Sequence, residues 1–145
     1  MSAPHWIVGQ DAEIELRAMY ERHYSCYFYK DKRQPAKFVG PGEPIVLTTP
    51  KRDALFVWRK FKDEIQPPQA GICCAIFRNE SSVQASDLIR EADAIADFCW
   101  PGERHYTTVR REAVKSRNPG WCFICAGWSR CGVSKGGLLI FARGG

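Results

Sequence analysis

An unbroken apolar run, Ile72 to Phe77, stops abruptly at the polar stretch Arg78-Asn79-Glu80-Ser81-Ser82. Apolar residues then return at Leu88, Ile89, Ala92, Ile95, Ala96 and Cys99. The run predicts a strand buried on both faces, and the later spacing an amphipathic helix with one core-facing stripe. A buried strand that enters a helix through a short polar loop aims the helix's free N–H groups at whatever sits above the strand end. Such a place suits an anion. The rest of the chain can be arranged as a sheet built around this unit.

A chain of 145 residues holds one domain with a full core and is short for two. A hydrophobic fraction of 45% and a charged fraction of 26% are ordinary for a globular protein. No apolar run approaches the roughly 20 residues that span a bilayer. The start, Met-Ser-Ala-Pro-His-Trp, has no basic segment leading into an apolar core, so a cytoplasmic location is expected. Seven cysteines are many and odd in number, which in a reducing compartment implies buried thiols, with Cys73, Cys74 and Cys99 in apolar runs. The net charge of +5 fits either a polyanionic partner such as nucleic acid or a solvated basic surface.

Taken in order, His5 to Gly9 reads as a short strand or an extended lead-in, and Asp11 as the cap of a helix carrying Ala12, Leu16, Met19, Tyr20 and His23 at helical spacing. That helix ends near His23-Tyr24-Ser25. A basic loop, Lys30 to Lys37, and the turn Gly40 to Pro44 follow. Ile45 to Thr49 and Ala54 to Trp58 read as a hairpin around Pro50-Lys-Arg-Asp53. After the central strand and helix, Trp100-Pro-Gly102 is a stop, and His105 to Val109 is another strand. Asn118-Pro119 is a helix start with proline at the first helical position, and the short helix Gly120 to Ala126 ends at Gly127. Strands around Trp128–Val133 and Leu138–Ala142 close the chain. The order predicts one α/β domain, an α+β fold with a mixed sheet.

That order, with a strand–loop–helix at its centre and Asn118…Gly127-Trp128 near its end, resembles the GCN5-related N-acetyltransferase (GNAT) superfamily. Within it, the chain looks most like small phage proteins related to Mom-type DNA-modification enzymes. His23-Tyr24-Ser25, Phe77-Arg78-Asn79-Glu80 and the stretch Asn118 to Trp128 carry that likeness. The resemblance covers roughly residues 11 to 143. It implies a mostly antiparallel sheet, flanked by helices and splayed beside the central strand, acetyl-CoA or a related acyl-CoA as cofactor, and acyl transfer to an amine, such as one on a modified DNA base in an infected bacterial host. It places the cofactor against Phe77, Ser81, Ser82, Val83, Gln84, Ala85, Ser86 and Asn118. The chain departs from the family at Ser81 to Ser86, which lacks the usual glycines, and at Phe123, which stands where a proton-donating tyrosine is common.

Acyl transfer to an amine needs a neutral amine, an oxyanion stabiliser and a positioned thioester. Glu80 is a candidate base, or else the partner of Arg78 in an ion pair. His23 and Ser25 are further catalytic candidates, and His23 equally fits a hydrogen-bonded core histidine. Tyr24, Arg78, Asn79 and Trp121 are candidates to hold substrate, with Asn79 alternatively the cap of the next turn; Asn118 is a cofactor contact or a plain helix cap. Tyr106, Trp100 or Trp121 would stack on an exposed base, unless they belong to the core. Two rival functions are a non-catalytic nucleic-acid-binding module of the same fold and a small zinc-binding interaction protein. The zinc reading rests on Cys122, Cys125, Cys131 and His105, a weak pattern without a second well-spaced pair.

Overall fold

The computed structural model describes residues 5–9, 14–21, 43–60, 71–110, 120–134 and 136–144. Its elements in chain order are β1 (Ile7–Val8), α1 (Ile14–Glu21), β2 (Glu43–Thr48), β3 (Ala54–Lys60), β4 (Ile72–Asn79), α2 (Ala85–Cys99), β5 (His105–Val109), α3 (Trp121–Cys125), β6 (Ser129–Val133) and β7 (Leu139–Arg143). The described residues form a seven-stranded mixed sheet in the order β1-β2-β3-β4-β5-β7-β6. Every neighbouring pair is antiparallel except β4 with β5. No described helix is long and apolar enough to cross a membrane.

The sheet is covered on two faces. Leu16 and Met19 of α1 pack with Val46, Leu55, Val57 and Ile76 on one side. Leu88, Ile89, Ala92 and Ala96 of α2 pack on the other against Phe56, Trp58, Ile72 and Cys74, joined there by Phe123 of α3 and by Trp128. The period-2 alternation of β3 explains this, sending Phe56 and Trp58 to one face and Leu55 and Val57 to the other.

β4 does not keep one alternation. Cys74 pairs with Trp58 and Ile76 with the adjacent Val57, so Ala75 is an extra residue in a β-bulge. A bulge reverses the parity of the strand beyond it. Ile72, Cys74 and then Phe77 accordingly lie on the α2 face, whereas Ile76 and Ala75 pack with the α1 cluster. The strand is therefore not buried on both faces, as the apolar run alone suggests; buried and half-buried residues alternate along it. It also runs on through Arg78 and Asn79.

The bulge coincides with a parting of strands. β4 and β5 share backbone pairing only at Ile72–His105 and Cys73–Tyr106. β4 then follows β3 to Asn79, and β5 follows β7 to Val109. At the fork the Thr107 hydroxyl donates to the Cys74 carbonyl at 2.9 Å, supplying one bond that the missing ladder would have made. The closed end is held by Ile72 N–H, which donates to Arg104 O at 2.7 Å.

α2 begins at Ala85, three residues before its first fully buried leucine, and Cys99 at its far end is exposed rather than on the core stripe. α3 spans Trp121–Cys125 with Gly120 in the cap position at φ +80°, inside the Gly120–Ala126 helix expected; Asn118 and Pro119 lie outside the described residues. A Cβ at Gly120 would meet the Phe141 ring at 2.4 Å, so both backbone sign and space call for glycine there.

Candidate functional site

The open end of the fork is built by the last residues of β4, the turn 80–84 and the first turn of α2. The turn is set by Asn79. Its amide Nδ2 donates to Val83 O at 2.7 Å, and its Oδ1 accepts from Ser81 N at 3.0 Å and from the Ser81 hydroxyl at 2.5 Å. The Ser81 oxygen in turn accepts from Val83 N at 3.2 Å, and Glu80 N donates to Asp53 O at 2.8 Å. A short polar side chain thus closes the turn that glycine closes in a freer backbone.

This arrangement divides the stretch expected to face a cofactor. The N–H groups of Ser81 and Val83 are already bonded inside the turn, and Val83 packs its side chain on the core, so these two do not present amides to a ligand. Gln84, Ala85 and Ser86 differ. Gln84 caps α2 with no side-chain hydrogen bond to the helix. Among the described residues the N–H groups of these three have no acceptor, the geometry that gives a helix start its partial positive charge. Ser82 is exposed and Ser86 buried. Asp87 sits in the first turn of α2, where it pairs with Arg90 at 2.7 Å.

Arg78 and Glu80 form an ion pair, Nε to Oε2 at 2.5 Å. Glu80 is therefore a held carboxylate at the strand end, and the ion-pair alternative raised by the sequence describes its contact with Arg78. Phe77 is half-buried, 5.4 Å from the Phe56 ring and 6.0 Å edge-on from Phe123. Phe123 is buried against Trp128 at 4.9 Å and Phe141 at 6.4 Å. It serves as core packing between α3 and the sheet, and has no proton to give. Trp121, 57% exposed at the start of α3, is free to meet a ligand. Trp100 and Tyr106 are buried, which removes them as base-stacking candidates. His23, Tyr24, Ser25 and Asn118 lie outside the described residues.

No protein-family model, curated protein or solved structure matches this chain.

Among the described residues, no three of His, Cys, Asp and Glu are grouped to hold a metal ion. Cys122 is half-buried, and Cys125 and Cys131 are exposed; Arg104 Nη2 approaches Cys131 Sγ at 3.4 Å. Burial pushes up the thiols of Cys73 and Cys122, and pushes Cys74 well up. A raised thiol holds less thiolate at neutral pH, and thiolate is the reactive species. An alkylating agent at neutral pH should therefore modify Cys99, Cys125 and Cys131 in the folded protein and leave Cys74 unmodified. Peptide mass spectrometry checks this; rapid labelling of Cys74 would contradict the packing described here.

A polar cluster that the sequence reading left unrecognised lies under α2. Asp93, buried on the apolar face of that helix, accepts from His105 Nδ1 at 2.7 Å and from Trp128 Nε1 at 2.8 Å. Arg143 holds Asp97 one turn later at 3.1 Å. The available signal was Asp93 itself, a charged residue inside the stripe Ile89–Ala92–Ala96, where a charge stays only if it is paired.

Proposed function

We propose that the chain is a GNAT-like N-acyltransferase that moves an acetyl or related acyl group from acyl-CoA to an amine, such as one on a modified DNA base. The observation that carries this reading is the fork: a parallel pair, β4 and β5, bonded at two registers and then parted, with a helix start beside the opening whose cap residue, Gln84, makes no side-chain hydrogen bond to it. A parted sheet leaves an extended edge on which an elongated ligand can lie, and the helix start offers N–H groups to phosphate. The strand order, with its single parallel pair, supports the same reading.

The N–H groups of Gln84, Ala85 and Ser86 would hold the phosphates. The cofactor would supply an activated thioester whose acyl group passes to the amine. Glu80, oriented by Arg78, takes the proton released by that amine, directly or through water, and Trp121 offers a face to a flat acceptor. Buried Phe123 leaves reprotonation of the departing sulfur to water. The test joins binding and chemistry. Millimolar acetyl-CoA should raise the melting temperature, because a ligand bound only by the native state stabilises it. Mass spectrometry of nucleosides from amine-bearing DNA incubated with protein and acetyl-CoA should show an acylated base, and Glu80→Gln should slow its formation without loss of fold. No thermal shift and no acylated base would sink the proposal.

The bonded amides of Ser81 and Val83, and Phe123, favour a second reading: a nucleic-acid-binding module on the same scaffold. Salt-dependent DNA binding with no response to acetyl-CoA would select it.

A further inference from the structure

We infer that Cys122 and Cys125 make a thiol–disulfide exchange site on α3, which closes reversibly into a disulfide by reaction with small disulfides of the glutathione type. The segment Trp121-Cys122-Phe123-Ile124-Cys125 spaces two thiols three residues apart, and the structure winds them into one helical turn. Phe123 N and Ile124 N donate to Gly120 O at 3.0 and 3.3 Å, and Ala126 N donates to Cys122 O at 3.1 Å. Residues three apart on a helix share a face. Helical rise and radius set their Cα atoms about 5 Å apart, inside the roughly 4.4–6.8 Å that a disulfide spans. The two thiols are close enough that a charge on Cys125 opposes one on Cys122.

Access divides the roles. Cys125 is exposed, whereas Cys122 is half-buried against the α2-face core, so Cys125 meets an incoming disulfide first. Its thiol gives its proton to solvent and the thiolate attacks one sulfur of glutathione disulfide. That S–S bond breaks, a Cys125–glutathione bond forms, and one glutathione leaves as thiolate. Cys122 then loses its proton and attacks Cys125 Sγ; the mixed bond breaks and the second glutathione departs. The protein gives up two protons and two electrons, and the electrons reduce glutathione disulfide to two thiols. Burial disfavours the Cys122 thiolate, yet its target is held one helical turn away, which makes the closing step intramolecular. Excess glutathione runs both steps backward through the exposed Cys125. Cys74, near enough to Cys122 to feel its charge, is 3% exposed and closed to a soluble disulfide. Among the described residues no His, Cys, Asp or Glu joins the pair as a third metal ligand. The pair sits where α3 meets α2: Arg90, held by Asp87 at 2.7 Å, donates to Cys125 O at 2.7 Å.

The test incubates the full chain, folded and reduced, with millimolar glutathione disulfide near neutral pH, quenches with acid and maps the cysteines by peptide mass spectrometry. The peptide carrying Cys122 and Cys125 should lose two hydrogens, and should regain them in excess reduced glutathione. Cys122→Ser should instead retain glutathione on Cys125, because the thiol that expels it is gone. Circular dichroism checks that this variant is folded; if it is not, the wild-type map decides alone. A wild-type chain that keeps glutathione on Cys125 beside a Cys122 thiol would overturn the inference. So would a pair that stays fully reduced, or a disulfide from either residue to any other cysteine in place of the expected one.

Discussion

Trp58→Ala should cost about 3–5 kcal/mol of folding stability, a large share of what a domain of this size holds. Trp58 is fully buried on the α2 face of β3. Its ring meets Phe56 at 4.7 Å, His105 at 4.9 Å and Trp128 at 6.2 Å, and its indole N–H donates to Ala92 O at 3.0 Å. Truncation removes the transfer free energy of the largest buried side chain and opens a cavity lined by three rings that cannot all collapse into it. It also exposes His105 to the void. Trp58→Phe should cost less, since a ring remains and Ala92 O keeps its place in the helix ladder. Urea unfolding measures both; a loss below about 1 kcal/mol for Trp58→Ala would mean that this side chain is not the centre of the core.

Gly71→Ala is expected to cost about 3 kcal/mol or more, from two sources that a single methyl group brings together. Gly71 has φ +111°, where a side chain is strained, and a Cβ there would stand 2.1 Å from the Arg104 carbonyl oxygen. That oxygen accepts the Ile72 N–H that ties β4 to the start of β5. The obstacle is backbone, so relief requires the two chains to move apart at the end of the fork that must stay closed. Loss of stability should come with loss of any ligand-induced thermal shift in the surviving native fraction. A variant as stable as the parent, by thermal and urea unfolding, would show that the closed end is not held as described.

The sequence carried the elements further than it carried the site. Apolar periodicity is local: the β-branched run Ile45 to Thr49, the hairpin turn at Pro50 to Asp53, and the stripe Leu88–Ile89–Ala92–Ala96 announce themselves within a few residues, and the structure has strands and a helix there. The bulge at Ala75 does not. It leaves no trace in an apolar run where every residue is compatible with either face, and it decides that Phe77 turns toward α2 and Arg78 away from it. The role of Asn79 was likewise open, since an asparagine at a strand end is compatible with capping the next turn or orienting a substrate. Its bonds to Ser81 and Val83 depend on a loop of that length returning on itself.

Order and spacing by themselves determined a strand, β4, feeding an amphipathic helix, α2, because hydrophobic spacing is a property of neighbours along the chain. Only the tertiary structure decided that β4 parts from β5 after two registers, that Glu80 is clasped by Arg78, and that Asp93, His105, Asp97 and Arg143 meet beneath α2. Those outcomes depend on contacts between residues far apart in sequence. A buried charge reveals its reason for being there only once the residue that balances it has been brought within a few ångströms.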